Sequence, residues 1–363
     1  MSDIKKTKFV MTFEEKKRFE CKLIYVTPHL SNLVEYAGRT CYMSFDKMTD
    51  KSYEGFIKGI VLSGHESVIE HSNLIFILMK PTHDKSKNIF YSELFEIISL
   101  NGLIRCDETL DCYIISGNIR MFKDLIRGAK SCRTLYSKNT IIEDILKELY
   151  TLPKYFFQDF INNGIMDVEM FRKSNLCKET SEPLEITKIN DYLSIVNIDS
   201  ISDIVIKNIR VRGMYGGVYD YKMSDKILNR HRRITMILNE PRYISHQEVR
   251  HRMASYSQQS QRYVKFNNCD FYVPPTLSGE SLDIVNDALA KSKETYCDLI
   301  TRGVKAEDAR VVLPNAVMSQ IVITRTLDYT MNYYLKERCS DRAQEFIRDK
   351  IARPLKEYLE LNL

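Results

Sequence analysis

No apolar run in this 363-residue chain approaches the length needed to cross a bilayer. Its opening residues, Met1-Ser-Asp-Ile-Lys-Lys-Thr-Lys8, lead into an apolar stretch too short and too soon broken by charge to form a secretory leader. The expectation is therefore a cytoplasmic protein with no membrane partner. Metal-type or redox-type cysteine spacing is also missing. The nine cysteines, an odd number, include no C-x-x-C pair, so neither a zinc site nor a disulfide framework is expected. Nor is there an excess of one charge, because 53 Lys and Arg face 48 Asp and Glu. A balance of +5 does not call for nucleic acid as a partner, although a local basic cluster could still touch it. The length allows two domains.

Local chemistry is concentrated in Arg250-His-Arg-Met-Ala-Ser-Tyr-Ser-Gln-Gln-Ser-Gln-Arg-Tyr263. Three arginines, a histidine, five hydroxyls and three amides share this stretch with almost no aliphatic bulk, which suits it poorly to a core. A guanidinium is always charged and presents a planar fork of donors, so converging arginines match phosphate or carboxylate oxygens. The hydroxyls and amides add neutral donors that orient a ligand. A plain solvated basic face would carry Lys and Glu instead of these small polar residues.

Arg250, His251, Arg252 and Ser260 match the signature of the flavin-dependent thymidylate synthases, Arg-His-Arg, seven residues, then Ser. The chain resembles that family in flanking segments too. Gly64-His65-Glu66-Ser67 resembles its Gly-His-Glu-Ser/Thr segment. Glu307 to Asn315 resembles the stretch with a nucleotide-binding arginine, Arg310, and Arg338 with Ala343-Gln344 resembles the closing helix. All four pieces stand in family order.

Between them the pattern predicts a strand at Lys22 to Val26, helices at Asn32 to Cys41 and Tyr53 to Leu62, and a buried strand at Ser72 to Met79. The family-like order then stops and resumes at His231. His71 and His231 each look like the histidine before the next strand, and they lie 160 residues apart, so an insertion of that size is expected. Residues 1–80 and 228–363 then form an α/β (α+β) domain, a mixed sheet flanked by helices, and 81–227 form an inserted, mainly helical subdomain. That region shows helical patterns at Ile89 to Leu100 and Ile141 to Leu149, and a strand-like run at Leu184 to Val205.

The resemblance implies reductive methylation of dUMP to dTMP, with methylenetetrahydrofolate as carbon donor and FAD, reduced by NADPH, as hydride source. It implies dUMP contacts from Gln247, Glu248, Arg250, Gln258, Ser260, Arg262, Arg310 and Arg338, with Arg338 catalytic beside the uracil edge. It implies FAD contacts from His65, Ser67, Arg250, His251, Arg252 and Gln258, and a homotetramer with sites between subunits. The chain departs from the family at Ser257 and Gln258, where many relatives carry Asn and Glu.

A further Ser116-Gly-Asn118-Ile-Arg120 segment resembles a flavin-holding segment that relatives carry near the C-terminus, where this chain reads Thr324-Arg-Thr-Leu-Asp328. Asn118 and Arg120 either supply the missing flavin contact or form a Gly-Asn turn opening a helix. The second Arg-His-Arg, Arg230 to Arg232, has Glu240 where the signature needs Ser and is assigned a structural role. Ser260 has no adjacent base and is taken as a binding hydroxyl. The basic residues from Ser340 to Leu359 read as a solvated helix face. The alternative from another class is a non-catalytic nucleotide- or RNA-binding relative, with Tyr256, Tyr263 and Phe266 available for stacking.

Overall fold

The computed structural model describes residues 7–12, 21–80, 84–100, 104–109, 112–131, 139–172, 176, 184–199, 201–211, 217–222 and 224–363. Two antiparallel sheets organise it. The first runs β2-β3-β5-β4, from Cys21–Val26 (β2), Leu74–Met79 (β3), Arg105–Glu108 (β4) and Cys112–Gly117 (β5), after a short first strand at Thr7–Thr12 (β1). The second is built from Thr187–Lys188 (β6), Leu193–Ile198 (β7), Arg233–Pro241 (β10), Ala254–Gln258 (β11) and Met318–Thr326 (β12), in the order β11-β12-β10-β7-β6. Ile201–Val211 (β8) and Gly217–Lys222 (β9) join β1 in a small third sheet, and β1–β8 is the one parallel pair among the described residues. The α/β class expected from sequence holds. Its helices flank two antiparallel sheets, and the mixed pairing is confined to the small third sheet.

β3 and β10 are central strands, and their sequences explain it. Leu-Ile-Phe-Ile-Leu-Met and Ile-Thr-Met-Ile-Leu have no alternation because both faces are covered, leaving Leu74 to Leu78 at 0 % exposure. Helix Leu30–Tyr42 (α1) lies between the sheets. Its Leu30 and Val34 join the core of the first, while Leu33 and Ala37 meet Val196, Ile237 and Val322 of the second. That two-sided apolar spacing requires burial on both flanks. Gly38 is needed on α1, because a Cβ there would sit 2.5 Å from the Phe56 ring of helix Ser52–Leu62 (α2).

Asp199 ties the sheets together. Fully buried, it accepts from Tyr25 Oη of β2 (2.8 Å), Asn73 Nδ2 before β3 (2.7 Å) and the Arg233 amide of β10 (2.7 Å). Unpaired, a buried carboxylate would be strongly destabilising, and here these donors, with Asn197 Nδ2 at 3.1 Å, compensate it.

Residues 81–227 hold three long helices, Asp84–Leu100 (α3), Ile119–Ser131 (α4) and Thr140–Leu149 (α5), of which the pattern suggested α3 and α5. Asn139 caps α5, its Oδ1 accepting from the amides of Ile141 and Ile142 at 3.1 Å each. The same region also supplies β4 and β5, which complete the first sheet, and β7, which pairs with β10. Boundaries at 80 and 228 thus cut across both sheets.

The C-terminal segment packs Phe346, Ile347, Ile351, Leu355 and Leu359 on the face of β10 and β12. The expected helix from Ser340 starts later, as π-helix Phe346–Ala352 running into α-helix Arg353–Asn362. Ahead of it, Arg348 Nη1 donates to the Ala343 carbonyl at 3.2 Å.

Candidate functional site

The arginine-rich segment spans a helix end, a turn and an edge strand. Helix Arg242–Glu248 ends just before Arg250, and β11 then carries Ala254 to Gln258 along the edge of the second sheet. In the strand the side chains alternate, so Ser255 and Ser257 are buried. Arg250 and Arg252 lie exposed at the turn, and no carboxylate pairs with either among the described residues.

Arg338 arrives from a different element. The chain leaving β12 winds as Leu327–Tyr329, a π-turn at Thr330–Tyr334, and α-helix Leu335–Arg338. The wider π-turn rotates the following residues, and such insertions recur at functional sites. Arg338 Nε donates to His251 Nε2 at 2.9 Å, and its terminal nitrogens lie 3.4 Å from the side-chain and main-chain oxygens of Gln247.

A guanidinium can only donate, so His251 Nε2 must carry its lone pair and the proton must sit on Nδ1. Nδ1 then donates to Tyr329 Oη at 3.1 Å. Burial, then Arg338 and Arg325, pull the His251 pKa down to about 4. The imidazole is neutral at physiological pH and locked in one tautomer.

Beneath this pair lies a buried charged cluster. Glu248 is fully buried, accepts from Tyr334 Oη at 2.5 Å and lies 3.5 Å from Arg325 Nη1. Arg325 is itself buried, has no well-formed hydrogen bond and sits 3.5 Å over the Tyr334 ring. Glu240 is buried with both oxygens unpartnered, and burial followed by the nearby Glu248 raises its pKa far above the carboxylate range. Burial also raises the Glu248 pKa, with Arg325 opposing.

The remaining expected residues divide into those that converge and those set apart. Gln247 donates to Gln344 at 2.5 Å, joining the helix before the signature to the Ala-Gln segment. Gln258 donates to Ser319 Oγ at 2.9 Å. The Ser260 amide donates to the Cys41 carbonyl at 3.0 Å, so α1 anchors the end of the signature. Arg262 and Arg310 are exposed and share Glu307, at 4.0 Å to its carboxylate and 3.0 Å to its carbonyl. Glu248 and His251, expected to contact ligands, are 0 % and 4 % exposed and face inward.

On the other side, His65 and Ser67 are exposed at the start of a 3-10 turn, Glu66–Glu70, that packs on β11. Glu66 is turned in, bound by Lys123 and by Arg127 (2.7 Å). Arg120 pairs with Glu70 at 2.6 Å. Asn118 is 1 % exposed, caps α4 by accepting from the Met121 amide at 2.9 Å, and leaves its Nδ2 buried without a partner. Both readings of Asn118 thus have a physical footing, the cap being made and one donor remaining free.

His231 is buried, bound to Ser116 (2.7 Å) and Asp107 (3.2 Å), while Arg230 pairs with Asp107 at 2.7 Å. Three residues escaped sequence reading: Arg325, Tyr329 and Arg242. Burial and then the Arg310 charge lower the Arg242 pKa. A buried arginine shows in sequence only as one interrupting an apolar strand, as Arg325 does.

The model of the thymidylate synthase complementing protein family matches residues 22–81 and 224–360. The chain belongs to that family. Flavin-dependent thymidylate synthases of Geobacter sulfurreducens, Clostridium tetani and Pyrococcus abyssi are 43 %, 37 % and 38 % identical over 111, 126 and 122 residues. Those stretches cover 30 %, 30 % and 32 % of this chain and 47 %, 50 % and 50 % of the relatives. This family member thus spans about half the length of the curated relatives it matches. Both matched family segments carry expected site residues. Among the described residues no helix is long and apolar enough to cross a membrane.

Proposed function

We propose that this chain converts dUMP to dTMP by reductive methylation, with FAD, NADPH and methylenetetrahydrofolate. The observation that carries the reading is the His251–Arg338 pair at 2.9 Å beside two exposed arginines that have no carboxylate partner among the described residues. Unpaired guanidinium groups around a fixed, neutral imidazole suit a phosphorylated ligand, because anionic oxygens supply the missing partners. The buried, unpartnered Asn118 Nδ2 and exposed His65 and Ser67 suit the polar edge of a flavin.

In this reading Arg250, Ser260, Arg262 and Arg310 hold the nucleotide with Gln247 and Gln258, and Arg252 with His65, Ser67 and Arg120 hold the flavin. When bound, the flavin supplies the hydride. Arg338 is the catalytic residue. Its terminal nitrogens stabilise negative charge on the uracil edge as N3 loses its proton, which raises electron density where the new carbon bond forms. Glu248 acts from below by fixing Tyr334, and His251 orients Arg338. The family's assembly as a homotetramer remains part of this proposal.

The test is anaerobic. Protein reduced with NADPH is mixed with dUMP and methylenetetrahydrofolate, the flavin band is followed, and the nucleotide product is analysed. Reoxidation with dTMP formed is the expected result. A flavin-free protein that retards RNA would replace this reading with the non-catalytic binding one.

A further inference from the structure

The two large sheets repeat one another. Each takes four strands in the same chain order and lays them in the same spatial order, β2-β3-β5-β4 in the first and β7-β10-β12-β11 in the second. Every pairing within these two sets is antiparallel. The register carries the match to single residues. Four residues after His71, Ile75 pairs with Ser116, and four residues after His231, Thr235 pairs with Thr324. Ser116 in turn faces Arg105 of β4, and Thr324 faces Ser255 of β11. Two residues further along, Asp107 of β4 therefore corresponds to Ser257 of β11.

Side chains confirm the correspondence independently. His71, ahead of β3, crosses to the second sheet and bonds Thr324 Oγ1 and Ser257 Oγ, both at 2.9 Å. His231, ahead of β10, crosses the other way, bonding Ser116 Oγ at 2.7 Å and lying 3.2 Å from an Asp107 carboxylate oxygen. These are the same two positions, exchanged. Contacts in which i meets j while j meets i are what a two-fold axis generates. The helices after β5 and β12 also begin alike, with Asn118 accepting from the Met121 amide and Thr326 from the Tyr329 amide, each three residues on.

We infer that the chain is one four-stranded unit duplicated and folded onto itself as an internal pseudo-dimer, which holds one working ligand site assembled from both halves. The two halves carry complementary parts. Arg250-His251-Arg252 precedes β11, whereas the corresponding stretch before β4 reads Leu100-Asn101-Gly102. Gly64-His65-Glu66-Ser67 precedes β3, whereas the corresponding stretch before β10 reads Ser224-Asp225-Lys226-Ile227. Asn118 and Arg120 of the first unit become Thr326 and Asp328 in the second.

Each unit therefore lacks the cationic or polar set that the other keeps. The retained sets meet, since the Glu66–Glu70 turn of the first unit packs on β11 of the second. In sequence, the Arg-His-Arg triplet of the second unit has only uncharged residues as its counterpart in the first.

The ligand identities rest on the functional reading above, so the experiment counts sites for two ligands separately. Full-length protein is reconstituted with FAD, the bound flavin is quantified per chain, and dUMP is titrated calorimetrically. One equivalent of each is expected. His65→Ala in the first unit and Arg252→Ala in the second should each weaken the same FAD isotherm at least tenfold. Two equivalents of either ligand overturn the inference while leaving the functional reading intact. So does an FAD isotherm that His65→Ala leaves unchanged. One dUMP with no flavin bound supports a single site and removes only the flavin from the reading. Binding of neither ligand overturns both.

Discussion

Replacing His71 by alanine should destabilise the protein by an amount that shrinks as the solution becomes acidic. His71 is 1 % exposed and both ring nitrogens are bonded, to Thr324 and Ser257 at 2.9 Å. Removing the ring deletes two hydrogen bonds, leaves two buried hydroxyls short of a partner and opens a cavity, together about 3 kcal/mol. Burial, then the nearby Arg233, lower the His71 pKa to about 3. In the unfolded chain it returns to about 6.5, so below that pH the unfolded state binds a proton that the folded state refuses. The stability that the neutral ring contributes is complete above pH 6.5 and is lost as pH falls toward 3, at about 1.4 kcal/mol per unit. By pH 5 the wild type has forfeited about 2 kcal/mol that the alanine variant never had, so the difference narrows from about 3 to about 1 kcal/mol. His231 and His251, whose pKa values are also lowered, titrate in both proteins and cancel. Urea unfolding of both proteins at pH 7.5 and pH 5.0 measures the two differences. A difference equal at both pH values would refute the buried, neutral assignment of His71.

Arg338→Ala should lower kcat/KM for dTMP formation by about 10²–10³-fold, the usual cost of one charge-stabilising donor, while bound flavin stays near the wild-type content. Full activity in steady-state assays would remove its proposed role. In the buried cluster, Arg325→Met removes the cation 3.5 Å from the buried Glu248 and should cost about 3–5 kcal/mol in denaturant unfolding. Glu240→Gln, at a carboxyl whose pKa burial and then the nearby Glu248 raise, should change stability by less than about 1 kcal/mol at pH 7.5. A larger loss in the Gln variant than in the Met variant would mean that Glu240 is ionised.

Legibility in the sequence followed how far each residue's environment is set by its neighbours in the chain. β3 and β10 were readable because burial on both faces demands consecutive apolar residues, and Leu74 to Met79 supply them. β4 was not, because Arg-Cys-Asp-Glu has no strand pattern of its own and is held by pairing with β5 and by the His231–Asp107 contact. Arg325 and Glu240 read as ordinary polar interruptions of strands, since nothing nearby in sequence announces that both are buried with Glu248. The signature was visible as composition, yet its link to Arg338 spans 87 residues and came from resemblance to a family. The histidines show the limit most clearly. His71 and His231 were recognised as equivalent, but as rivals for one place. That both places exist follows from register, which pairs Ser116 with Ile75 and Thr324 with Thr235.

The neutral state of His251 explains how Arg338 can be both fixed and available. A protonated imidazole would repel the guanidinium, and burial with Arg325 and Arg338 nearby holds the ring's pKa down to about 4. Its lone pair therefore stays available to the Arg338 Nε at 2.9 Å. The two terminal nitrogens make only long contacts, 3.4 Å to each of two Gln247 oxygens and 3.5 Å to the exposed Glu337 carboxylate. An arginine gripped at Nε and loosely held at its fork keeps its bidentate face for an incoming oxygen pair. Lysine could not divide its contacts this way, having one nitrogen to serve both the imidazole and the ligand. The buried charges below gain a reason as well: Glu248 holds Tyr334, whose ring packs edge-on against His251 at 4.9 Å. Arg325 against the Tyr334 ring adds positive potential without needing solvent. The cost of burying that charge falls where it keeps one imidazole unprotonated, and the imidazole keeps one arginine aimed.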